Sequence, residues 1–162
     1  MDNHMKSFII ILLICTFSSF SYSDSAIDLI IIEKSKRELK LMKNGVTIKE
    51  YKIDLGFDPI GHKYFKGDGK TPEGLYFISK KSTTSDFYMA LQISYPNSWD
   101  KRNAESFGKN AGNYIMIHGE PNMNKNKKNI KDWTDGCVAL NNKDIKEIYE
   151  NVSINTPIYI TP

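Results

Sequence analysis

Two side chains in this sequence have the chemistry for nucleophilic catalysis: the thiol of Cys137 and the imidazole of His118. A cysteine attacks carbonyl carbons as a thiolate, and with an ordinary pKa of about 8.5 it needs a neighbouring base or positive charge to ionise at neutral pH. His118 ends the apolar run YIMI and precedes Gly119, which lets the chain turn without covering the imidazole. Cys137 follows Gly136 and begins the apolar run CVAL. We therefore expect two neighbouring strand ends to bring thiol and imidazole together.

The residues around the cysteine also fit an oxyanion-binding turn. Gly136 would allow the backbone N–H groups of Asp135, Gly136 and Cys137 to point at an incoming carbonyl oxygen. Asp135 would raise the thiol pKa if its carboxylate faced the sulfur, so an outward orientation is favoured. Considered singly, a histidine is more often a structural hydrogen-bonding residue, and a cysteine before Val-Ala-Leu is compatible with a core position.

The start of the chain predicts an export signal. Lys6 precedes the apolar run Phe8–Phe17, whose length is about half of the roughly 20 residues that a membrane span needs. Ser21 and Ser23 provide small residues at a cleavage site. We expect residues 1–23 to be removed and one domain to remain, exported to the periplasm or cell envelope without stable membrane insertion.

Cys15 leaves two other interpretations of this segment open, an uncleaved anchor and a lipoprotein signal. It lies inside the apolar run rather than at its end, which favours cleavage. The mature chain, residues 24–162, would then hold Cys137 as its one cysteine, either buried and inert or retained for reactivity. The net charge of +3 is too small to indicate nucleic-acid binding, and it suits either an acidic polymer or a merely lysine-rich surface.

Alternating apolar residues predict a mainly β (α+β) domain with one or two packed helices. The predicted strands are Ile27–Glu33, Glu38–Lys43, Val46–Leu55, Leu75–Ser79, Ala90–Ser94, Tyr114–Ile117, the CVAL segment and Pro157–Thr161. Asn44-Gly45 predicts a type I′ hairpin turn, and a one-residue change of apolar phase in the third strand predicts a β-bulge. Helical spacing of apolar residues predicts helices at Ser98–Phe107 and Asn142–Asn151, the second capped by Asn141 or Asn142.

A long loop, Gly56–Gly74, contains GDGKT, which superficially matches a phosphate-binding loop. Tyr64 stands where that motif needs its first glycine, and Pro72 argues against the helix whose N-terminus would hold the phosphate. We therefore expect no phosphate site in this loop.

The combined pattern is far more specific than its parts. His118-Gly119, then fourteen residues, then Thr134-Asp135-Gly136-Cys137-Val138 resembles the signature of the L,D-transpeptidase catalytic domain, the YkuD-like fold. The early hairpin, the GDGKTPEG segment and the final Pro-Ile-Tyr-Ile agree with it. The resemblance covers about Ile27 to Thr161 and implies a mixed β-sheet with sandwich or barrel-like form.

By this resemblance, Cys137 is the nucleophile and His118 the general base, while Thr134, Asp135, Gly136 and Gly119 support the site. The thiolate would attack the third residue of a peptidoglycan tetrapeptide stem and release D-Ala, and the thioester would pass to an amine of another stem. No cofactor or metal is implied.

One departure from the family leaves alternatives open. Many members carry Arg two residues after the cysteine, where this chain has Ala139. A methyl group cannot replace a guanidinium that holds a carboxylate, so L,D-carboxypeptidase and wall-protein-releasing activities remain alternatives to cross-linking. A zinc hydrolase using His62, His118 and Cys137 is a weaker rival, because its spacing matches no common zinc pattern. A non-catalytic wall-binding module would not need both His118 and Cys137.

Tyr95 and Trp133 flank the expected site in sequence and are candidates for a substrate groove, although aromatic residues beside turns are more often core residues. Four lysines between base and nucleophile are compatible with either a lid for acidic stems or a solvated loop: Lys125, Lys127, Lys128 and Lys131.

Overall fold

The computed structural model describes residues 27–123 and 130–162 of the chain. The predicted signal at residues 1–23 lies outside these ranges, and so do Lys125, Lys127 and Lys128 of the proposed lid. Lys131, the fourth lysine of that group, is described and exposed.

Eight strands form one mixed sheet, as the sequence predicts. The strands are β1 (Leu29–Glu33), β2 (Glu38–Lys43), β3 (Val46–Lys52), β4 (Gly74–Ser82), β5 (Ala90–Ile93), β6 (Met116–His118), β7 (Val138–Ala139) and β8 (Pro157–Thr161). Their order across the sheet is β3-β2-β1-β8-β4-β5-β6-β7. The pairs β1/β8 and β6/β7 are parallel, and the other neighbouring strands are antiparallel.

The hairpin between β2 and β3 confirms both local predictions from sequence. Asn44 and Gly45 have φ angles of 51° and 75°, the positive values that a type I′ turn requires. Leu41 pairs with Lys49 and the next residue, Met42, pairs with Thr47, so Ile48 is the extra residue of a β-bulge. The β-bulge predicted from the change of apolar phase is therefore present.

The sheet curls until its two ends meet. Asp54, which follows β3, exchanges backbone hydrogen bonds of 2.9 and 2.8 Å with Ala139 of β7. A second bridge joins Gly56 to Thr134. These contacts give the sheet the barrel-like form that the resemblance implies, and they fix the segment containing Cys137 against the chain after β3.

Two helices flank the sheet, and the sequence predicts both. α1 (Ser98–Ser106) begins at a capping box of Asn97 and Asp100, and α2 (Asn142–Asn151) has Asn141 as its N-cap. Ile145 and Ile148 of α2 are fully buried, as their spacing predicts. In the described part of the chain, neither helix has the length or apolar character needed to cross a bilayer.

The predicted buried face of α1 is partly wrong. Ala104 is buried, but Trp99 and Phe107 are 50% and 55% exposed. Asp100 takes an inward position instead, because its carboxylate accepts hydrogen bonds from the Tyr76 hydroxyl and the Asn97 backbone N–H. A buried carboxylate with such partners is a stable alternative to an apolar contact.

Buried lysines order the long loop between β3 and β4. The Lys34 ammonium is 2% exposed and donates to the Gly61 and Thr71 carbonyls and to the Glu73 carboxylate. Lys63, also buried, forms a 2.7 Å ion pair with Asp68. These contacts tie the loop to itself and to the end of β1, and nothing in its form matches a phosphate-binding loop followed by a helix.

Gly56 lies where this loop meets the segment before Cys137, and it has no room for a side chain. An added Cβ would overlap the Gly69 carbonyl oxygen and lie 2.9 Å from the Gly136 Cα. We expect Gly56→Ala to destabilise the fold by about 3 kcal/mol through overpacking against rigid backbone.

The matched control is Gly108→Ala, where φ is 63° and no atom lies near the added Cβ. That variant should lose only the about 1–2 kcal/mol of a left-handed alanine. Urea unfolding measures both free energies of unfolding, and equal losses would contradict the overlap.

Candidate active site

The pairing of β6 with β7 brings His118 and Cys137 to one face of the sheet. Ile117 pairs with Val138 and His118 with Ala139 in parallel register. Side chains alternate between faces, so Cys137, just before Val138, points to the same side as His118. Diagonal neighbours of this kind lie about 7–8 Å apart by ordinary sheet geometry, close enough for a substrate to touch both.

The His118 imidazole is held between aromatic rings. It is fully buried and stacks on Phe87, with ring centroids 3.8 Å apart and an interplanar angle of 25°. Trp133 approaches it edge-on at 5.8 Å. Two contacts of this kind fix the plane of the imidazole before any substrate arrives.

Hydrogen bonding fixes which nitrogen of His118 acts as an acceptor. Nδ1 lies 2.7 Å from the Gly119 carbonyl oxygen, which only accepts, so Nδ1 carries the proton. Nε2 has no partner among the described residues. Burial lowers the pKa of His118 to about 4, although the Gly119 carbonyl opposes the shift. The ring is therefore a neutral base with a free lone pair at neutral pH.

The thiol of Cys137 is half-buried and is held on the adjoining segment before β6. Its Sγ donates to the Tyr114 carbonyl oxygen at 3.5 Å. Burial raises the pKa of Cys137 to about 11; the Met116 backbone N–H lowers it, the Asp135 carboxylate raises it, and the Lys63 ammonium lowers it. The free protein thus holds a neutral thiol, which needs a base to ionise, as expected from the sequence.

Thr134 organises the turn that presents the thiol. Its hydroxyl donates to the Cys137 carbonyl at 2.7 Å and accepts from the Gly136 N–H at 3.1 Å. Gly136 has φ of 124°, and an added Cβ would lie 2.5 Å from the Lys70 carbonyl oxygen. Because the Gly136 N–H is taken by Thr134, an oxyanion would rely on the N–H groups of Cys137 and Asp135.

An ion pair anchors the chain just before this turn. Arg37 donates two hydrogen bonds to Asp132, at 2.9 Å from Nε and 2.8 Å from Nη2. Asp132 also accepts from the Leu55 backbone N–H at 3.1 Å. The carboxylate therefore links β2, the chain after β3 and the cysteine turn, which makes the turn part of the rigid sheet.

Two cavities lie on either side of Phe87, and both are lined in part by the segment from Ser85 to Phe87. One, of about 390 Å³, extends along β4 to β6 and reaches Tyr114 and Met116 beside the thiol. The other, of about 510 Å³, is lined further by Trp133, Pro121, Asn122 and Met123. Phe87 thus lines both spaces, of which one reaches Tyr114 and Met116 and the other reaches Trp133.

The structure divides the two aromatic residues predicted to line a groove. Trp133 lines the larger cavity and contacts the His118 ring, as expected of a site residue. Tyr95 is 3% exposed and donates its hydroxyl to the Ala111 carbonyl at 2.9 Å, so it belongs to the core. The core interpretation of Tyr95 therefore replaces the groove interpretation.

The supporting residues lie around the same turn. Asp135 is exposed, as the outward orientation requires, although its charge still raises the pKa of Cys137. Gly119 donates to the Tyr88 carbonyl at 2.9 Å and leaves no room for a Cβ, which would lie 2.5 Å from that oxygen. Glycine is therefore required by close packing next to the histidine.

His62 belongs to a different cluster. Its Nδ1 accepts from the Glu73 backbone N–H at 3.0 Å, and its Nε2 lies 3.3 Å from an Asp100 carboxylate oxygen. In residues 27–123 and 130–162, no three potential ligand side chains come together in a geometry that would hold a metal ion. His62 thus belongs to a different cluster from His118 and Cys137. It is not available as the third ligand of the zinc site considered above.

Phe87 is the site residue that sequence analysis missed. It lies 31 positions before His118, in a Ser- and Thr-rich stretch with no regular apolar pattern. A bridge between Phe87 and Pro121 and a 2.9 Å hydrogen bond from the Tyr88 N–H to the Glu120 carbonyl hold it in place. The paired backbone sets its position, and a single sequence carries no signal of that pairing.

The fold, the register of β6 and β7, and the turn before Cys137 together indicate one class of protein. The chain belongs to the L,D-transpeptidase catalytic domain family, whose model matches residues 27–160. The predicted family and the mainly β fold with a curled mixed sheet are thereby confirmed.

Particular relatives make the likeness specific. The chain is 31% identical over 117 residues to the putative L,D-transpeptidase YafK of Escherichia coli K12, covering 71% of this chain and 41% of YafK. The helical cell shape determining protein Pgp2 of Campylobacter jejuni has a TM-score of 0.66 at 25% identity, covering 83% of this chain and 47% of Pgp2. The chain thus spans less than half the length of either relative.

A more distant structure shares the fold alone. An L,D-transpeptidase from Mycobacterium smegmatis has a TM-score of 0.55 at 12% identity, covering 83% of this chain and 58% of that protein.

Proposed function

We propose that this protein is an L,D-transpeptidase of the bacterial cell wall, exported from the cytoplasm, with Cys137 as nucleophile and His118 as general base. The family acts on peptidoglycan. The observation that carries the proposal is the β6/β7 register, which supports a thiol and a free imidazole nitrogen acting on one bound carbonyl.

In the first half-reaction, the Cys137 sulfur attacks the carbonyl carbon of the third stem residue. The thiol proton passes to His118 Nε2, the N–H groups of Cys137 and Asp135 face the carbonyl oxygen, and the C–N bond to D-Ala breaks. His118 returns the proton to the departing amine. A thioester on Cys137 remains.

In the second half-reaction, an amine of another stem attacks the thioester. His118 accepts the amine proton, a new amide forms, and the sulfur leaves and regains a proton. Two substrates must reach the same sulfur in turn, and the two cavities lined by Phe87 are the candidate approaches for them.

The neutral resting pair requires proton transfer during attack. A thiol pKa near 11 beside a histidine pKa near 4 leaves almost no thiolate in the free protein at pH 7. Because a general base removes the proton while the carbon–sulfur bond forms, the reaction does not depend on the small fraction of free thiolate. A resting neutral thiol is also less prone to oxidation in an oxidising compartment.

Ala139 keeps L,D-carboxypeptidase activity as a second candidate. It is buried and pairs with His118, so no guanidinium stands at this point of the site. Lys80, which lines the cavity beside the sulfur, offers an ammonium group for a stem carboxylate instead. If the acceptor is poorly held, water replaces the amine and a tripeptide stem results.

Incubation with a disaccharide-tetrapeptide, followed by mass spectrometry of the products, tests the function. A cross-linked dimer together with released D-Ala is the expected result. Tripeptide without dimer would assign the carboxypeptidase reaction. Unchanged substrate, with intact folded protein, would contradict both reactions, and cleavage confined to protein-loaded walls would assign the wall-protein-releasing alternative.

Phe87→Ala is expected to move the acid limb of the pH profile. Removing the stacked ring admits water to the imidazole, so the His118 pKa rises from about 4 toward the ordinary 6.5. Because the neutral imidazole is the active form, kcat/KM should fall below about pH 6 in the variant while wild type stays active to lower pH.

Phe77→Ala is the matched control, since Phe77 lies on β4, is 46% exposed and has no ring contact with His118. Its acid limb should coincide with that of wild type. Coinciding acid limbs for Phe87→Ala and wild type would show that the stacked ring does not control the basicity of His118.

A further inference from the structure

An exposed row of aromatic rings lies outside the site described above. Trp99, Tyr64 and Phe107 are 50%, 38% and 55% exposed. His62 joins the first two, with ring centroids 5.1 Å from Trp99 and 5.2 Å from Tyr64, and Tyr64 lies 5.6 Å from Phe107. We call these four side chains the aromatic row. Large aromatic side chains grouped at a surface in this way mark binding sites more often than scattered apolar residues do.

The row is built on rigid supports. Trp99 lies in the first turn of α1 and Phe107 is its C-cap residue, so the helix fixes their separation. His62 is held by the Glu73 N–H and by the nearby Asp100 carboxylate. Asp100 is 1% exposed and accepts from the Tyr76 hydroxyl at 3.1 Å. Such anchoring lowers the entropy that ligand binding must overcome.

The composition of the row favours a sugar over a peptide. A pyranose ring presents C–H groups on its faces and hydroxyl groups at its rim, which suits flat aromatic rings that have polar neighbours. Tyr64 contributes a polar edge within the row, whereas the His62 side chain is 10% exposed and its Nε2 is buried. An apolar peptide would be matched better by flexible aliphatic or methionine side chains, and the row contains neither.

The exposed charges on α1 and beside it are mostly positive, although Glu105 is also exposed on the helix. Arg102 is exposed one helical turn after Trp99, and Lys66 is exposed close to Tyr64 in sequence. The Lys109 ammonium lies 5.6 Å from the Phe65 ring, which in turn lies 6.0 Å from Phe107. This arrangement complements a sugar polymer that also carries carboxylates.

The row is continuous with the proposed active site through the backbone. Lys66, two residues after Tyr64, donates its N–H to the Asn110 carbonyl at 2.7 Å. Four residues further along, the Tyr114 carbonyl accepts from the Cys137 thiol. One short segment, from Asn110 to Tyr114, thus links the support of the row to the partner of the thiol.

We propose that the aromatic row binds the glycan strand of peptidoglycan, while the stem peptide enters the cavities beside Cys137 and His118. The identity of the polymer rests on the proposed function. Holding the strand raises the local concentration of stems at the sulfur, which strengthens capture without any new contact to the stem.

Co-sedimentation with insoluble glycan strands, stripped of their stem peptides, tests the proposal. The full chain carrying Cys137→Ala is used, so binding is measured without turnover. Trp99→Ala combined with Tyr64→Ala should weaken binding about tenfold or more, as loss of two aromatic anchors does at other binding sites. The matched control is Tyr159→Ala combined with Leu75→Ala, two exposed residues paired across β8 and β4, and it should bind like its parent.

Three results would overturn the proposal: no binding of stripped glycan by the parent, equal binding by row and control variants, or a row variant whose only change is loss of a dimer in gel filtration. Circular dichroism establishes that each variant is folded before it is compared. Because the probe has no stem and the protein no thiol at position 137, failure of the thioester chemistry leaves these outcomes unaffected.

Discussion

Cys137→Ala should leave a folded protein whose turnover of disaccharide-tetrapeptide is at least about 10⁴-fold below wild type. In the proposed mechanism the sulfur forms the covalent intermediate, and removal of a nucleophile in other covalent enzymes has effects of this size. The fold should persist because the half-buried thiol makes only weak contacts, with the Tyr114 carbonyl and the Met116 backbone N–H. Rates come from product analysis, and stability from thermal unfolding.

Cys137→Ser is the companion variant, since it keeps the size of the side chain while replacing sulfur by a far less nucleophilic hydroxyl. It should be about as inactive as the alanine variant. Turnover near the wild-type rate in either variant would exclude a thioester, provided that the purified protein contains no contaminating enzyme.

His118→Ala should lower kcat by about 10²–10⁴-fold, the usual contribution of a general base. In the proposed mechanism the neutral Nε2 takes the thiol proton, and the substitution removes it while leaving Phe87 and Trp133 as the walls of an empty slot. Added imidazole should fit between these rings and restore part of the rate at neutral pH.

Rescue separates a chemical role of the ring from a structural one. A folded His118→Ala protein with wild-type kcat would show that the base lies elsewhere. Loss of activity that imidazole restores, with unchanged thermal stability, supports proton transfer by the ring. A second variant, His118→Asn, retains a donor toward the Gly119 carbonyl and should stay inactive, since its amide is not basic.

Local sequence chemistry was enough to predict much of the fold. Asn44-Gly45 determines the hairpin because both positions need positive φ, and the change of apolar phase after it marks the bulge at Ile48. Alternating burial along β1 and β2 follows the apolar pattern directly. These features depend on neighbours within a few residues, which is why one sequence reveals them.

Contacts between residues far apart in the chain could not be predicted from the sequence. The closure of the sheet between Asp54 and Ala139 joins residues 85 positions apart, and no local preference specifies it. Lys34 looks like an ordinary surface lysine until three oxygen partners are assembled around it. The inward position of Asp100 on α1 could not be predicted for the same reason, because its partner Tyr76 lies on another element.

In the candidate site, too, local patterns could be predicted from the sequence and long-range contacts could not. The family spacing predicts Cys137 and His118 as site residues, and the register of β6 and β7 places their strand positions on one face of the sheet. Their protonation states follow from burial, which the sequence does not show, and the thiol and the imidazole are both neutral in the free protein. Phe87 stacks on His118 because its backbone pairs with Pro121, and the sequence alone does not show this pairing.

Mass spectrometry of the intact protein during turnover tests the central claim most directly. Wild-type protein incubated with disaccharide-tetrapeptide should gain the mass of the acyl donor less D-Ala, and peptide mapping should locate the adduct on Cys137. The adduct should accumulate further in His118→Ala if that variant acylates slowly but cannot activate the acceptor. Turnover that proceeds with no adduct, or with an adduct on another residue, would contradict the account.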